Sequence, residues 1–151
     1  MAEYLYNEVQ SVQLNEAAIF DNSIPCNRGN VFHENNTGVF TLRGRTCNCF
    51  ARYQVDFNGN IAIPTGGTVG PIAVALAVNG EVRPTSRSIY TPAAVGDANY
   101  GNVTSTAIID VPAGCCVPIS LRSVAASNDP TVVPAPVINL QNANLRITRI
   151  A

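Results

Sequence analysis

Ten residues at the centre of the chain, 71–80, limit what the rest can become. They read PIAVALAVNG. Ile72, Val74, Leu76 and Val78 alternate with Ala73, Ala75 and Ala77. Side chains alternate across a strand with period two, so this is a β-strand with one bulky face and one small face. Both faces are apolar, which places the strand inside a structure rather than at its edge. The bulky face suits a sandwich core. The alanine face would let another sheet or a second subunit approach closely, so Ala73, Ala75 and Ala77 form a candidate subunit-contact face. Asn79-Gly80 closes the strand with a strong hairpin signal.

The remaining chain follows the same grammar. Residues 3–20 hold one or two opening strands, with Val12, Leu14, Ala18 and Phe20 in one parity. Short strands are expected at 31–33 and 39–43, the second with Phe40 and Leu42 on one face. Residues 49–57 place Cys49, Ala51, Tyr53, Val55 and Phe57 on one side. Asn58-Gly59 is expected to turn the chain into a short strand at 61–63, before the glycine-rich loop 64–71. Strands at 102–111 and 115–124 flank the turn Pro112-Ala113-Gly114, and a proline-bearing loop covers 125–136. Two last strands, 137–140 and 144–150, close the sequence. No window carries a helical period. Eight to ten short strands divided by Gly, Pro and Asn turns point to a single-domain, all-β jelly-roll β-sandwich over residues 1–151. Residues 1–8 are expected to be an arm that anchors to a particle or swaps between subunits.

Composition removes several classes of function. Charged residues make up 13% of the chain against 46% hydrophobic, and the formal net charge is −1. No global field attracts nucleic acid or an anionic membrane. No apolar run nears the roughly 20 residues that span a bilayer. Residues 1–10 lack both the basic and the apolar part of a signal peptide, so none is expected. All nine basic residues are Arg, a residue favoured at interfaces.

The candidate chemistry is sparse. The five cysteines are Cys26, Cys47, Cys49, Cys115 and Cys116. They admit disulfides within or between subunits, or a role as small buried apolar residues. Zinc with His33 fits poorly, because Cys-x-Cys and an adjacent pair do not match structural-site spacing. His33 is the only histidine and stands beside no nucleophile motif. Gly66-Gly67 is loop geometry, since a phosphate loop needs a Lys that this chain lacks. Asn35-Asn36-Thr37 and Asn102-Val103-Thr104 match the glycosylation sequon by chance. Arg43, Arg45 and Arg52 are expected to form ion pairs with residues such as Asp56 and Glu34. No catalytic, cofactor or metal residues are expected.

Several segments together resemble a family: VQSVQLNEAAIF, GVFTLRG, ALAVNGE, STAIIDVPAGCCVPISLRS and NANLRITRI. The pattern is similar to the tumour-necrosis-factor-like and complement-globular-head-like jelly rolls of bacteria and phages, among them the C-terminal head of collagen-like glycoproteins on bacillus spores. The matching stretches are 75–80, 107–123 and 143–150. Residues 50–81 look similar to small phage and prophage proteins of gut Firmicutes. The resemblance implies a homotrimer that displays and binds rather than catalyses. The expected role is a structural protein on a virion surface, such as a capsid decoration or head-fibre protein, with a capsid or other particle surface as partner. A spore-surface or extracellular filament subunit cross-linked by cysteines is an alternative. A carbohydrate-binding module that recognises surface glycans is another, though the chain has no Trp platform. Two departures stand out: residues 1–151 contain no Gly-X-Y repeat, so no collagen-like stalk is expected, and residues 128–136 lengthen the loop before the last strands.

Overall fold

The computed structural model describes residues 1–24 and 29–151. Two antiparallel six-stranded sheets face each other across one core. The first has the order β10(Gly101–Pro112), β6(Phe50–Ala62), β12(Val137–Arg149), β1(Ala2–Tyr6), β3(Asn22–Ile24), and β2(Gln10–Gln13) also pairs with β12. The second runs β4(Val31–His33), β5(Phe40–Arg43), β11(Cys116–Val124), β7(Ile72–Val78), β8(Glu81–Val82), with β9(Ser88–Tyr90) also on β7. A single 3₁₀ turn, η1(Pro84–Ser86), is the only helical element among the described residues. Its Ser86 hydroxyl accepts from Leu76 N–H at 2.9 Å and ties the turn to β7.

The alternation sorts side chains as the sequence predicts. Ile72, Val74 and Leu76 enter the core, where they meet Phe40, Leu42, Tyr53, Val55, Phe57, Ile119, Leu121 and Leu145, all buried. Burying a side chain such as Leu76 contributes about 1.5–3 kcal/mol.

Two expected breaks in strands are not breaks. Asn58-Gly59 lies inside β6, which runs unbroken for 13 residues. Gly59 is there for space: an added Cβ would come within 2.6 Å of the Phe57 ring and 3.1 Å of a Leu140 methyl. Likewise the two closing strands are one, β12, with a register shift between Gln141 and Asn144. Asn142 takes a left-handed φ of 53° at that bulge, a conformation Asn tolerates better than most residues.

The expected N-terminal arm is also corrected. Ala2–Tyr6 is an interior strand, hydrogen-bonded to β12 on one side and β3 on the other. Ala2 and Tyr4 are buried in the common core, so this segment is held by its own domain.

Candidate functional site

The alanine face of β7 is closed. Ala73, Ala75 and Ala77 are each 0% exposed in the single chain. Ala73 and Ala75 pack with Val124 and Ala126, and Val82 lies against them. Arg122, opposite Ala75 in the register, reaches across to the Gly80 carbonyl at 3.3 Å and the Ser120 hydroxyl at 3.2 Å. Arg87 donates to the Ala125 carbonyl and to Asn128. The loop after β11 is thus tied down at the edge of that face. The small side chains admit a close approach, as their size implies, but what approaches is this chain's own polypeptide. They offer no atoms to a second subunit.

The outer face of the first sheet is open and polar. Asp56 on β6 accepts from the Thr106 hydroxyl at 2.7 Å and from the Gln54 amide at 3.0 Å. Arg52 forms a two-point pair with Asp110 at 2.7 and 2.9 Å, and Arg146 approaches Glu3 at 3.7 Å. The Arg52 hydrogen bond holds the Asp110 carboxyl below its ordinary range against an opposing effect of desolvation, with the charges of Arg52 and Arg83 adding to it. Hence Arg52 does not meet Asp56 or Glu34 as expected. Arg43 instead sits 5.8 Å from the Phe32 ring centroid. A shallow concavity of about 580 Å³ opens beside Asp56, Asn58, Thr106, Asn144 and Arg146.

An asparagine row crosses the same sheet. Asn102 donates to Asn58 at 2.8 Å and to Asn60 at 3.2 Å, Asn60 to Asn142 at 3.3 Å, and Asn142 to Asn7 at 2.9 Å. Sequence reasoning missed this row and took Asn102 only as part of a chance sequon. The signal was present, since Asn58, Asn60 and Asn102 share outward strand parity, but the pairing that aligns them is long-range.

His33 is occupied structurally. Its Nε2 donates to the Thr37 carbonyl at 3.0 Å, its ring stacks on Phe40 with centroids 4.3 Å apart, and Tyr4 meets it edge-on at 4.9 Å. No group of three or more His, Cys, Asp or Glu among the described residues could hold a metal ion.

The two ends of the sandwich differ. At one, Cys47, Cys49, Cys115 and Cys116 are exposed free thiols. Cys47 and Cys49 stand on the β5–β6 connection, Cys115 on the β10–β11 connection, and Cys116 opens β11. The two connections hydrogen-bond to each other: Gly44 N–H to the Cys115 carbonyl at 2.8 Å, Gly114 N–H to the Gly44 carbonyl at 2.9 Å, and Ala113 N–H to the Cys49 carbonyl at 3.0 Å. The reading of cysteine as a small buried residue fails at these four positions; Cys26 lies outside the described residues. At the other end, the glycine-rich loop and the proline loop enclose an apolar groove of about 500 Å³ lined by Ile63, Val69, Val133 and Pro134. No described helix is long and apolar enough to cross a membrane.

The sequence matches no protein-family model and no curated relative. Solved structures do match over nearly the whole chain. Eiger TNF from S. frugiperda superposes with a TM-score of 0.62 at 11% identity, covering 100% of this chain and 92% of that one. The globular domain of zebrafish complement 1qA protein gives 0.58 at 14% identity, covering 99% and 97%. Murine APRIL gives 0.52 at 9% identity, covering 96% and 97%. With its two antiparallel sheets, this chain has the tumour-necrosis-factor and C1q-like jelly-roll fold.

Proposed function

We propose that the chain is a non-enzymatic structural or display protein whose jelly rolls assemble as a homotrimer on a particle surface, in the first instance a virion. The observation that carries this reading is the outer face of the first sheet. Its charges are held by partners on the same chain: Asp110 by Arg52, Glu3 by Arg146 and Asp56 by Thr106 across strands, and Asp56 also by Gln54 on its own strand. A face of this kind can meet another copy without stranding a charge, which would otherwise cost several kcal/mol. The histidine Nε2 and the carboxylates of this face are likewise engaged. The one histidine is packed and bonded, and these carboxylates accept hydrogen bonds across strands. The jelly-roll likeness supports the trimeric form by analogy of fold.

Light scattering on the reduced protein tests the assembly. A mass three times the 16.0 kDa chain supports the reading. A monomer overturns it. Binding of the trimer to emptied phage capsids then tests the particle role, and saturable glycan binding with no capsid binding would move the chain to a carbohydrate-recognition role. The Asp56→Lys substitution puts a new cation on the proposed contact face, and we expect it to shift the reduced protein from trimer toward monomer while leaving its circular dichroism unchanged.

A further inference from the structure

Four exposed thiols at one end of a domain call for an explanation. Cysteine is among the residue types most often buried, yet Cys47, Cys49, Cys115 and Cys116 are all in solvent. Two sequence-distant connections bring them together, and those connections are rigidly joined. Three backbone hydrogen bonds link residues 44–49 to residues 113–115, and the Cys115 N–H closes its own turn on the Pro112 carbonyl at 3.0 Å. Gly44 fits so closely beneath the turn that an added Cβ would overlap the Pro112 carbonyl oxygen. Arg149 braces the same end by donating to the Arg45 carbonyl at 2.8 Å and the Ala151 carbonyl at 3.0 Å. The thiols therefore stand on a fixed platform, which lowers the ordering cost of any bond they make.

We propose that this pole is a covalent docking surface for a second copy of the chain, joined pole to pole by intermolecular disulfides. The occupant follows from two facts. Adjacent Cys115 and Cys116 have Cα atoms about 3.8 Å apart, shorter than the roughly 4.4–6.8 Å of an ordinary disulfide, so they do not readily pair with each other. An identical pole supplies an equal set of free, exposed thiols across a two-fold contact. The step uses a low-molecular-weight disulfide such as glutathione disulfide. A thiolate of one copy attacks it, forming a mixed disulfide and releasing one glutathione thiolate. A thiolate of the second copy attacks the protein sulfur and releases the other. The two protein thiols lose two electrons to the small disulfide, and their two protons end on the two glutathione thiols. The inference does not rest on the trimer, since a monomer or a trimer can be joined at this end.

The test compares the full chain in reduced glutathione with the chain in glutathione disulfide, by light scattering and non-reducing electrophoresis. We expect oxidation to double the mass found in reductant, and dithiothreitol to restore it. The reduced mass alone reads the trimer, so failure of one reading leaves the other standing. Changing Cys47, Cys49, Cys115 and Cys116 together to Ser should cut the cross-linked fraction at least tenfold, while Cys26→Ser leaves it within twofold. Should the fourfold variant misfold, alkylating the native wild-type chain with iodoacetamide gives an independent reading. Rapid labelling at these four positions that blocks cross-linking supports the proposal. An unchanged mass with peptide mapping that shows a bond between the two connections of one chain overturns it, as does loss of cross-linking in Cys26→Ser.

Discussion

The two ends of this sandwich lie about 40 Å apart along the 13-residue strand β6, at roughly 3.3 Å per residue, and they are built by opposite means. The thiol end is closed by backbone. Its two connections exchange hydrogen bonds, a glycine is wedged between them, and the buried Tyr53 hydroxyl donates to the Arg43 carbonyl at 2.6 Å and the Asn30 carbonyl at 3.2 Å. The opposite end is enclosed by side chains and loops. Val133 is 88% exposed, Val69 49%, and Gly66 has no atom within 4 Å of where a Cβ would sit. Backbone closure fixes position, and side-chain closure leaves shape adjustable. An end that presents reactive groups gains from the first, because bonds form best between groups already held in place.

The largest effect should come from the wedge. Gly44→Ala forces a methyl group into the Pro112 carbonyl, an overpacking against backbone that should destabilise the fold by about 2–3 kcal/mol. The counterpart at the other end, Gly66→Ala, meets no atom and costs only its φ of +92°, about 1 kcal/mol. Urea midpoints of the two variants measure the contrast directly, and equal losses would show that the ends are alike. Next comes Tyr53→Phe. It leaves the Arg43 and Asn30 carbonyls without the phenol donor, a loss of about 1–2 kcal/mol, and it should raise the rate of amide exchange at residues 43–49 more than at residues 63–69. Smaller again is Val133→Ser, which removes an apolar group that is already in water and should alter stability by less than about 0.5 kcal/mol. A larger loss would mean that the apolar groove is packed more tightly than its exposure implies.

The difference between the ends also explains what could be read from sequence. Strand faces were legible wherever alternation is local. Phe40 and Leu42, Tyr53 and Val55, and Val117 and Ile119 all face inward as their parity requires. Gly59 misled, because a glycine kept for clearance looks like a turn residue along the chain. Only the partner strand distinguishes the two, and Leu140 lies 81 residues from Gly59. The alanine face was read correctly as admitting a close neighbour and incorrectly as admitting another subunit, since parity is silent on which chain arrives. The thiol pole was invisible for the same reason. Cys47-Asn48-Cys49 and Cys115-Cys116 are separate features in sequence, and long-range strand pairing makes them one place.

Two carboxylates give the smallest and most discriminating test. Asp110, near the thiol end, is held below its ordinary pKa of 3.8 by the Arg52 hydrogen bond first, with the Arg52 and Arg83 charges assisting. Asp129, on the loop at the apolar end, is also lowered, but by the Thr131 backbone N–H at 2.9 Å and the Thr131 hydroxyl at 2.8 Å. Both groups have a depressed folded pKa, so each contributes stability above its unfolded pKa and loses it as pH falls through the folded value, which lies below 3.8. The sign is the same and the cause is not. Salt screens exposed charges, over about 10 Å at 0.1 M and about 3 Å at 1 M, while a hydrogen bond from a neutral donor does not depend on a second charge. Carboxyl titrations followed by NMR in low and high salt should therefore move Asp110 back toward its ordinary value and leave Asp129 in place. Arg52→Gln should produce the same upward movement at Asp110 in low salt, and Thr131→Ala should raise Asp129 at either ionic strength. Equal salt sensitivity at the two sites would mean that charge rather than local geometry sets both, and the contrast between the ends would not extend to their electrostatics.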